Sequence, residues 1–320
     1  MNLKAFIKLI RFNNLVVIAL TMFATRYFLI QPILALRQHF TMQLQLSHAD
    51  FFLLMLSTVL IAAAGYIIND YFDVKTDRIN KPQKLYIDNG VKRRVAIFIH
   101  TLFNVAGFAI GVYVAHKAGN IFLCIIQFVC ITLLFFYSTH LKRQVLSGNL
   151  LVAALSAMVP LQIVFFEMPL LKYKFLQNIQ SFTFLYLSVF SFSLFAFLLS
   201  LVREIVKDME DFKGDYETGC KTMPIVWGIK ASKAIVAGLI SNILLLLIFI
   251  FYKSDKSDFS MLSNYLFVFV FIPLCFLILK LYRSKQKEEY HQLSQWIKYI
   301  MLTGVLSTFV IYLIDKYFSC

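Results

Sequence analysis

Nine runs of about 20 apolar residues dominate the chain, at roughly 12–35, 50–69, 95–115, 119–138, 147–167, 181–202, 231–252, 263–281 and 296–315. A helix rising about 1.5 Å per residue needs about this length to cross about 30 Å of hydrocarbon. Inside lipid every backbone N–H and C=O must find an internal partner, which leaves helices and closed barrels as spanning structures. The alternating pattern of barrel strands is absent. The expected fold is therefore an all-α integral membrane protein, with nine transmembrane helices in a bundle around a central cavity.

Composition agrees. The 320 residues are 60% hydrophobic and only 15% charged, against about 25% charged in a soluble domain. This excludes an ordinary soluble enzyme, a disordered chain and a nucleic-acid-binding domain. The net charge of +14 belongs to the loops. With helix-end residues counted in the loop they border, 22 of the 31 Lys and Arg fall on one side of the membrane and 7 on the other, while Arg26 and Lys298 lie within runs. That asymmetry predicts a cytoplasmic N-terminus. Lys4, Lys8 and Arg11 precede a first run too long for a signal-peptide core, so an uncleaved span is expected. Arg26 is expected to reach the outer end of that span by snorkelling. The five cysteines (Cys124, Cys130, Cys220, Cys275, Cys320) have no metal-site spacing and are expected to be reduced.

The chemistry is concentrated where spans 2 and 6 end. Asp70, Asp73 and Asp77 follow span 2, and Asp208, Asp211 and Asp215 follow span 6. Both sets have the form D-x-x-D-x-x-x-D. At about 100° per residue each set falls within about 60° of a helix surface, predicting an acidic stripe at each helix end. Stacked like charges repel, and at a membrane boundary they cost more. A hard divalent cation resolves the repulsion, and Mg²⁺ completes its shell with water and substrate phosphates. Spans 2 and 6 are four apart, so the single domain over 1–320 is expected to hold two four-helix units, about 1–140 and 141–282, plus a ninth helix. The two clusters would then face each other and clamp a diphosphate.

The stretch from Asn69 to Asp77 resembles the N-D-x-x-D-x-x-x-D motif of the UbiA superfamily of intramembrane prenyltransferases. Asp208 to Asp215 is similar to its second aspartate motif. Tyr137-Ser138-Thr139-His140-Leu141-Lys142-Arg143 and Gly219-Cys220-Lys221-Thr222-Met223-Pro224 extend the resemblance over nearly the whole chain. It implies Mg²⁺-dependent transfer of an isoprenyl group from a prenyl diphosphate to a membrane-associated acceptor. Asp70, Asp73, Asp208 and Asp211 are then expected to be catalytic, and all six aspartates to be metal ligands. Tyr137 is expected to stabilise the allylic cation. Asn69, Arg78, Lys84, Lys142, Arg143, Lys221 and Asn14 are the expected substrate contacts. Arg203 and Glu204 are equally compatible with a local ion pair and with substrate contact.

The run from Arg203 to Pro224 resembles the geranylgeranylglycerol-phosphate geranylgeranyltransferase branch, which implies geranylgeranyl transfer to geranylgeranylglyceryl phosphate in ether-lipid synthesis. An aromatic acceptor in quinone biosynthesis is the alternative. A more distant alternative is an ion-coupled transporter, which places its charges near the midplane in inverted repeats, whereas these acids lie at one face. The expected partners are a prenyl diphosphate donor, a lipid or aromatic acceptor and the bilayer, with no nucleic acid and no obligate protein partner. The expected location is the cytoplasmic (inner) membrane, with the active site opening to the cytoplasm.

Overall fold

The computed structural model describes residues 2–36, 44–175, 179–254 and 260–318. Among them, nine helices are long and apolar enough to span a membrane: α1 (Phe12–Leu34), α2 (His48–Asn80), α3 (Arg93–Lys117), α4 (Ile121–Thr139), α5 (Ser147–Glu167), α6 (Thr183–Glu210), α7 (Gly228–Tyr252), α8 (Ser260–Arg283) and α9 (Lys287–Lys316). The protein is an integral membrane protein. Four free cysteines are described, and Cys320 lies outside the described residues.

Several helices run past their apolar segments. Helix α2 continues to Asn80, α6 to Glu210, and α9 starts at Lys287. Hydropathy marks only the stretch bathed in lipid, whereas backbone hydrogen bonding carries the helix on through charged turns. Both aspartate sets therefore begin on helices rather than in loops. The second set departs from a single stripe. After Glu210 the chain turns at Asp211 into a short helix, Phe212–Glu217, which carries Asp215.

Two spans contain wide, π-type turns, Thr25–Ile30 in α1 and Phe267–Phe271 in α8. Pro32 and Pro273 explain both. Each proline removes an N–H and crowds the carbonyl four residues back, at Phe28 and Phe269, inside the widened turn. Helices α2 and α3 approach closely at Gly107. A Cβ there would meet Ile61 at 2.8 Å, and Ser57 Oγ donates to Gly107 O at 2.6 Å.

Arg26 corrects the snorkelling expectation. Its side chain is 1% exposed and pairs with the fully buried Glu167 of α5, Nε to Oε1 at 3.0 Å. It also donates to the carbonyls of Leu46 and Ser47 and lies 4.6 Å from the Phe51 ring centroid. Glu167 accepts from Leu46 N–H at 3.2 Å. One buried pair thus fastens α1, α5 and the segment before α2, far from the aspartates.

At the carboxylate end a second fastening joins α2 to the chain after α6. Asn80 Nδ2 donates to Asp211 O at 2.9 Å, and Gly214 N–H donates to Asn80 Oδ1 at 2.9 Å. Thr76 and Thr218 add a hydroxyl contact at 3.3 Å. A Cβ on Gly214 would lie 2.5 Å from the Asn80 amide, so only glycine admits this joint.

Two predictions follow from these fastenings. Arg26→Met should cost about 3–5 kcal/mol by stranding Glu167, and adding Glu167→Leu should restore much of it; thermal unfolding in detergent checks both. Gly214→Ala should cost about 1–3 kcal/mol by displacing Asn80, and amide exchange in 212–217 should rise.

Candidate active site

A cavity of about 1040 Å³ runs along the bundle axis, above the range of about 300–1,000 Å³ typical of small-molecule pockets. Its depth is apolar, lined by residues such as Ile18, Ile33, Leu155, Val159, Leu266 and Ile311. Its charged end carries all six aspartates of the two sets. The helical phase of α2 turns Asp70, Asp73 and Asp77 inward. The end of α6 supplies Asp208, and the bend at Asp211 lets the short helix return Asp215 to the same space.

Each wall has its own basic partners. Arg11 Nη2 donates to Asp70 at 2.7 Å, and its guanidinium stands 5.0 Å from the Tyr66 ring centroid. Arg11 sits at φ 51°, ψ 53°, the left-handed region, between the short helix Leu3–Leu9 and α1. Lys142, in the 3-10 turn Leu141–Arg143 after α4, pairs with Asp73 and reaches Asn69 Oδ1 at 3.4 Å. Asn69 also donates to Asp73 at 2.8 Å. Lys81 pairs with Asp211 at 2.6 Å, and Asn149 of α5 donates to Asp208 at 2.8 Å. Asp77 and Asp215 line the cavity without side-chain hydrogen bonds among the described residues.

The electrostatics follow the pairing. Burial opposes the charge on Arg11, Lys81 and Lys142, but the adjacent aspartates override it and hold all three protonated, above their ordinary pKa values. Burial pushes the Asp215 carboxyl up to about 7, and Asp211 adds to the rise.

The inward donors are hard carboxylate oxygens, and Asp211 Oδ1 is buried without a hydrogen-bond partner. Such a set fits a hard divalent cation. Among the described residues no three His, Cys, Asp or Glu side chains converge on a point. A cation that takes one or two carboxylates and completes its shell with phosphate oxygens suits this arrangement.

Among the other expected contacts, Tyr137, Asn14 and Arg143 line the cavity, Arg143 at its rim. Arg78 and Lys221 do not. Both side chains are exposed on the outer surface, Arg78 because its phase on α2 points away from the aspartate stripe. Lys221 contributes its backbone instead, donating N–H to Arg143 O at 2.8 Å. The Lys84 side chain lies outside the described residues. Arg203 and Glu204 pair at 3.1 Å and both line the cavity. Sequence reasoning did not assign Lys81, Asn80, Asn149 or Lys298 to the site. Of these only Lys298 carried a signal, as a cation inside an apolar run.

Known proteins share the chain's sequence pattern and fold. The model of the UbiA prenyltransferase family matches residues 29–312. Digeranylgeranylglyceryl phosphate synthase of Saccharolobus solfataricus is 30% identical over 307 residues, 96% of each chain. The synthase of the same name from Sulfolobus acidocaldarius is 32% identical over 77% of each chain. A solved structure of digeranylgeranylglyceryl phosphate synthase matches with a TM-score of 0.62 at 22% identity, covering 96% of this chain and 97% of that one. A UbiA homologue from Archaeoglobus fulgidus, bound to GPP and Mg²⁺, matches with a TM-score of 0.59 at 13% identity over 96% of this chain and 99% of that one. The chain belongs to the UbiA prenyltransferase family.

Proposed function

We propose that this protein transfers a geranylgeranyl group from its diphosphate to the free hydroxyl of geranylgeranylglyceryl phosphate, making the second ether bond of a membrane lipid. The observation that carries this reading is the pair of aspartate sets sharing the charged end of one deep apolar cavity. The names of the relatives supply the acceptor. The excess of Lys and Arg in alternate loops supports placing the charged end on the cytoplasmic side of the inner membrane.

The isoprenyl tail occupies the apolar depth, where burial is worth about 0.8 kcal/mol per CH₂. The diphosphate stays at the charged end, beside Arg11, Lys81 and Lys142. These three hydrogen-bond to aspartates, and phosphate oxygens are equivalent acceptors for them. Asp70, Asp73 and Asp77, with Asn69 beside them, would offer one or two carboxylates at a time to one Mg²⁺, and Asp208, Asp211 and Asp215 would do the same for another, with phosphate oxygens completing each shell. Bound Mg²⁺ supplies Lewis-acid neutralisation of the leaving group. The allylic C–O bond breaks and its electron pair leaves with the diphosphate. The acceptor oxygen bonds the freed carbon, and its proton passes to a diphosphate oxygen. Tyr137 lines this stretch and offers a ring face to the developing cation. The apolar walls keep water from capturing it.

Diphosphate release by the purified protein tests the reading. It should require Mg²⁺ and be stimulated by geranylgeranylglyceryl phosphate, not by an aromatic acid. Asp70→Asn and Asp208→Asn should each lower kcat by about a hundredfold or more with thermal unfolding little changed; near-normal rates in both would refute the two-cluster mechanism. Mg²⁺ must displace the proton from Asp215, whose carboxyl titrates at about 7. Apparent Mg²⁺ affinity should therefore weaken as the pH falls through about 7. Calorimetric titration at several pH values measures this.

A further inference from the structure

The cavity holds a third group of charges that the proposed chemistry does not use. Where α6 packs on α9, Arg203 and Lys207 both bind one carboxylate, Glu204, at 3.1 and 3.0 Å. Lys298 of α9 enters the same wall and donates to a neutral acceptor, Asn14 Oδ1 of α1, at 2.8 Å. Of the next carboxylates along α6, Asp208 is assigned above to the cation and accepts from Asn149 at 2.8 Å, and Glu210 is held by His291 at 2.9 Å. Arg203 and Lys207 thus share one anion, and among the described residues Lys298 pairs with none. Arg203 and Lys298 lie close enough to repel each other, and Arg203 Nε is buried with no hydrogen-bond partner. A buried, unsatisfied guanidinium N–H beside a surplus of about two positive charges needs an anion.

We infer that Arg203, Lys298 and Asn14 form the seat of the acceptor's phosphate headgroup, separate from the diphosphate site. The inference rests on the reading above that the acceptor is a phosphate-bearing lipid alcohol. A phosphomonoester carries about −1.5 to −2 charges at pH 7, which matches the surplus, whereas a singly charged aromatic carboxylate leaves part of it uncompensated. Depth agrees as well. Arg203 precedes Asp208 by five residues, about 7 Å further into the bundle. The reactive carbon of the donor hangs on that side of its diphosphate, so a phosphate held at Arg203 brings the neighbouring hydroxyl toward it. Arg203 and Lys298 are specificity residues in this assignment: they select the acceptor and leave ionisation of the donor to the aspartates.

The test uses the full chain in lipid nanodiscs with Mg²⁺ and geranylgeranyl diphosphate, and compares geranylgeranylglyceryl phosphate with the same alcohol lacking phosphate. Arg203→Gln and Lys298→Gln should each raise KM for the phosphorylated acceptor about tenfold, the worth of one charge-assisted hydrogen bond, with donor KM within about twofold. The preference for the phosphorylated acceptor over the bare alcohol should shrink by the same factor. Lys298→Arg should keep most of it. Arg203→Gln leaves Glu204 paired with Lys207, so the wall stays satisfied. An unchanged acceptor KM in both Gln variants overturns the phosphate seat and leaves the proposed function standing. A parallel rise in donor KM also overturns it, because it marks general damage to the cavity. Wild-type turnover of an aromatic acid, with none of the glycerol phosphate, overturns both.

Discussion

Charge inside an apolar bundle must be answered by charge, and the cavity of this protein is organised by that requirement. Eight carboxylates and eight Lys or Arg side chains line it. Where an acid and a base meet there, each lowers the cost of the other's charge. Asp70 stands against Arg11, Asp73 against Lys142 and Asp211 against Lys81. These bases come from three different connections between elements. The pairing therefore gathers the chain before α1, the turn after α4 and the end of α2 around one space.

The pairs also keep the site ready for exchange. Every acid in them is a potential ligand for a cation, and every base a potential ligand for phosphate. Donor and metal can enter together, each taking the place of one partner, without exposing a bare charge. A site built of aspartates alone would carry its repulsion until a metal arrived.

The architecture was legible in the sequence because lipid solvent is severe. A span needs its apolar length, and nine such runs appear at the places where the helices lie. The aspartate sets were legible for a related reason, since stacked acids at a membrane boundary have few structural uses. Other features depend on contacts that sequence spacing does not encode. That α2 and α6 run on past their apolar stretches follows from backbone hydrogen bonding, to which hydropathy is blind. The bend that separates Asp211 from the α6 stripe follows from the joint between Asn80 and Gly214, which are 134 residues apart. Arg26 looked like a snorkelling residue because its partner, Glu167, sits at the end of a span four helices later. Arg78 and Lys221 matched the expected motif context, but side-chain direction, not position in the chain, decided that they face outward.

The backbone at Arg11 carries a further consequence. Its left-handed conformation suits glycine, and for any other residue it costs about 1 kcal/mol or more. Glycine there would relax the chain and remove the guanidinium that reaches Asp70. Backbone relaxation and the pairing of Asp70 therefore pull in opposite directions at this one position. The arginine present is a local record of which prevailed: at the entry to α1 the backbone is held in a strained conformation for the charge it presents to Asp70.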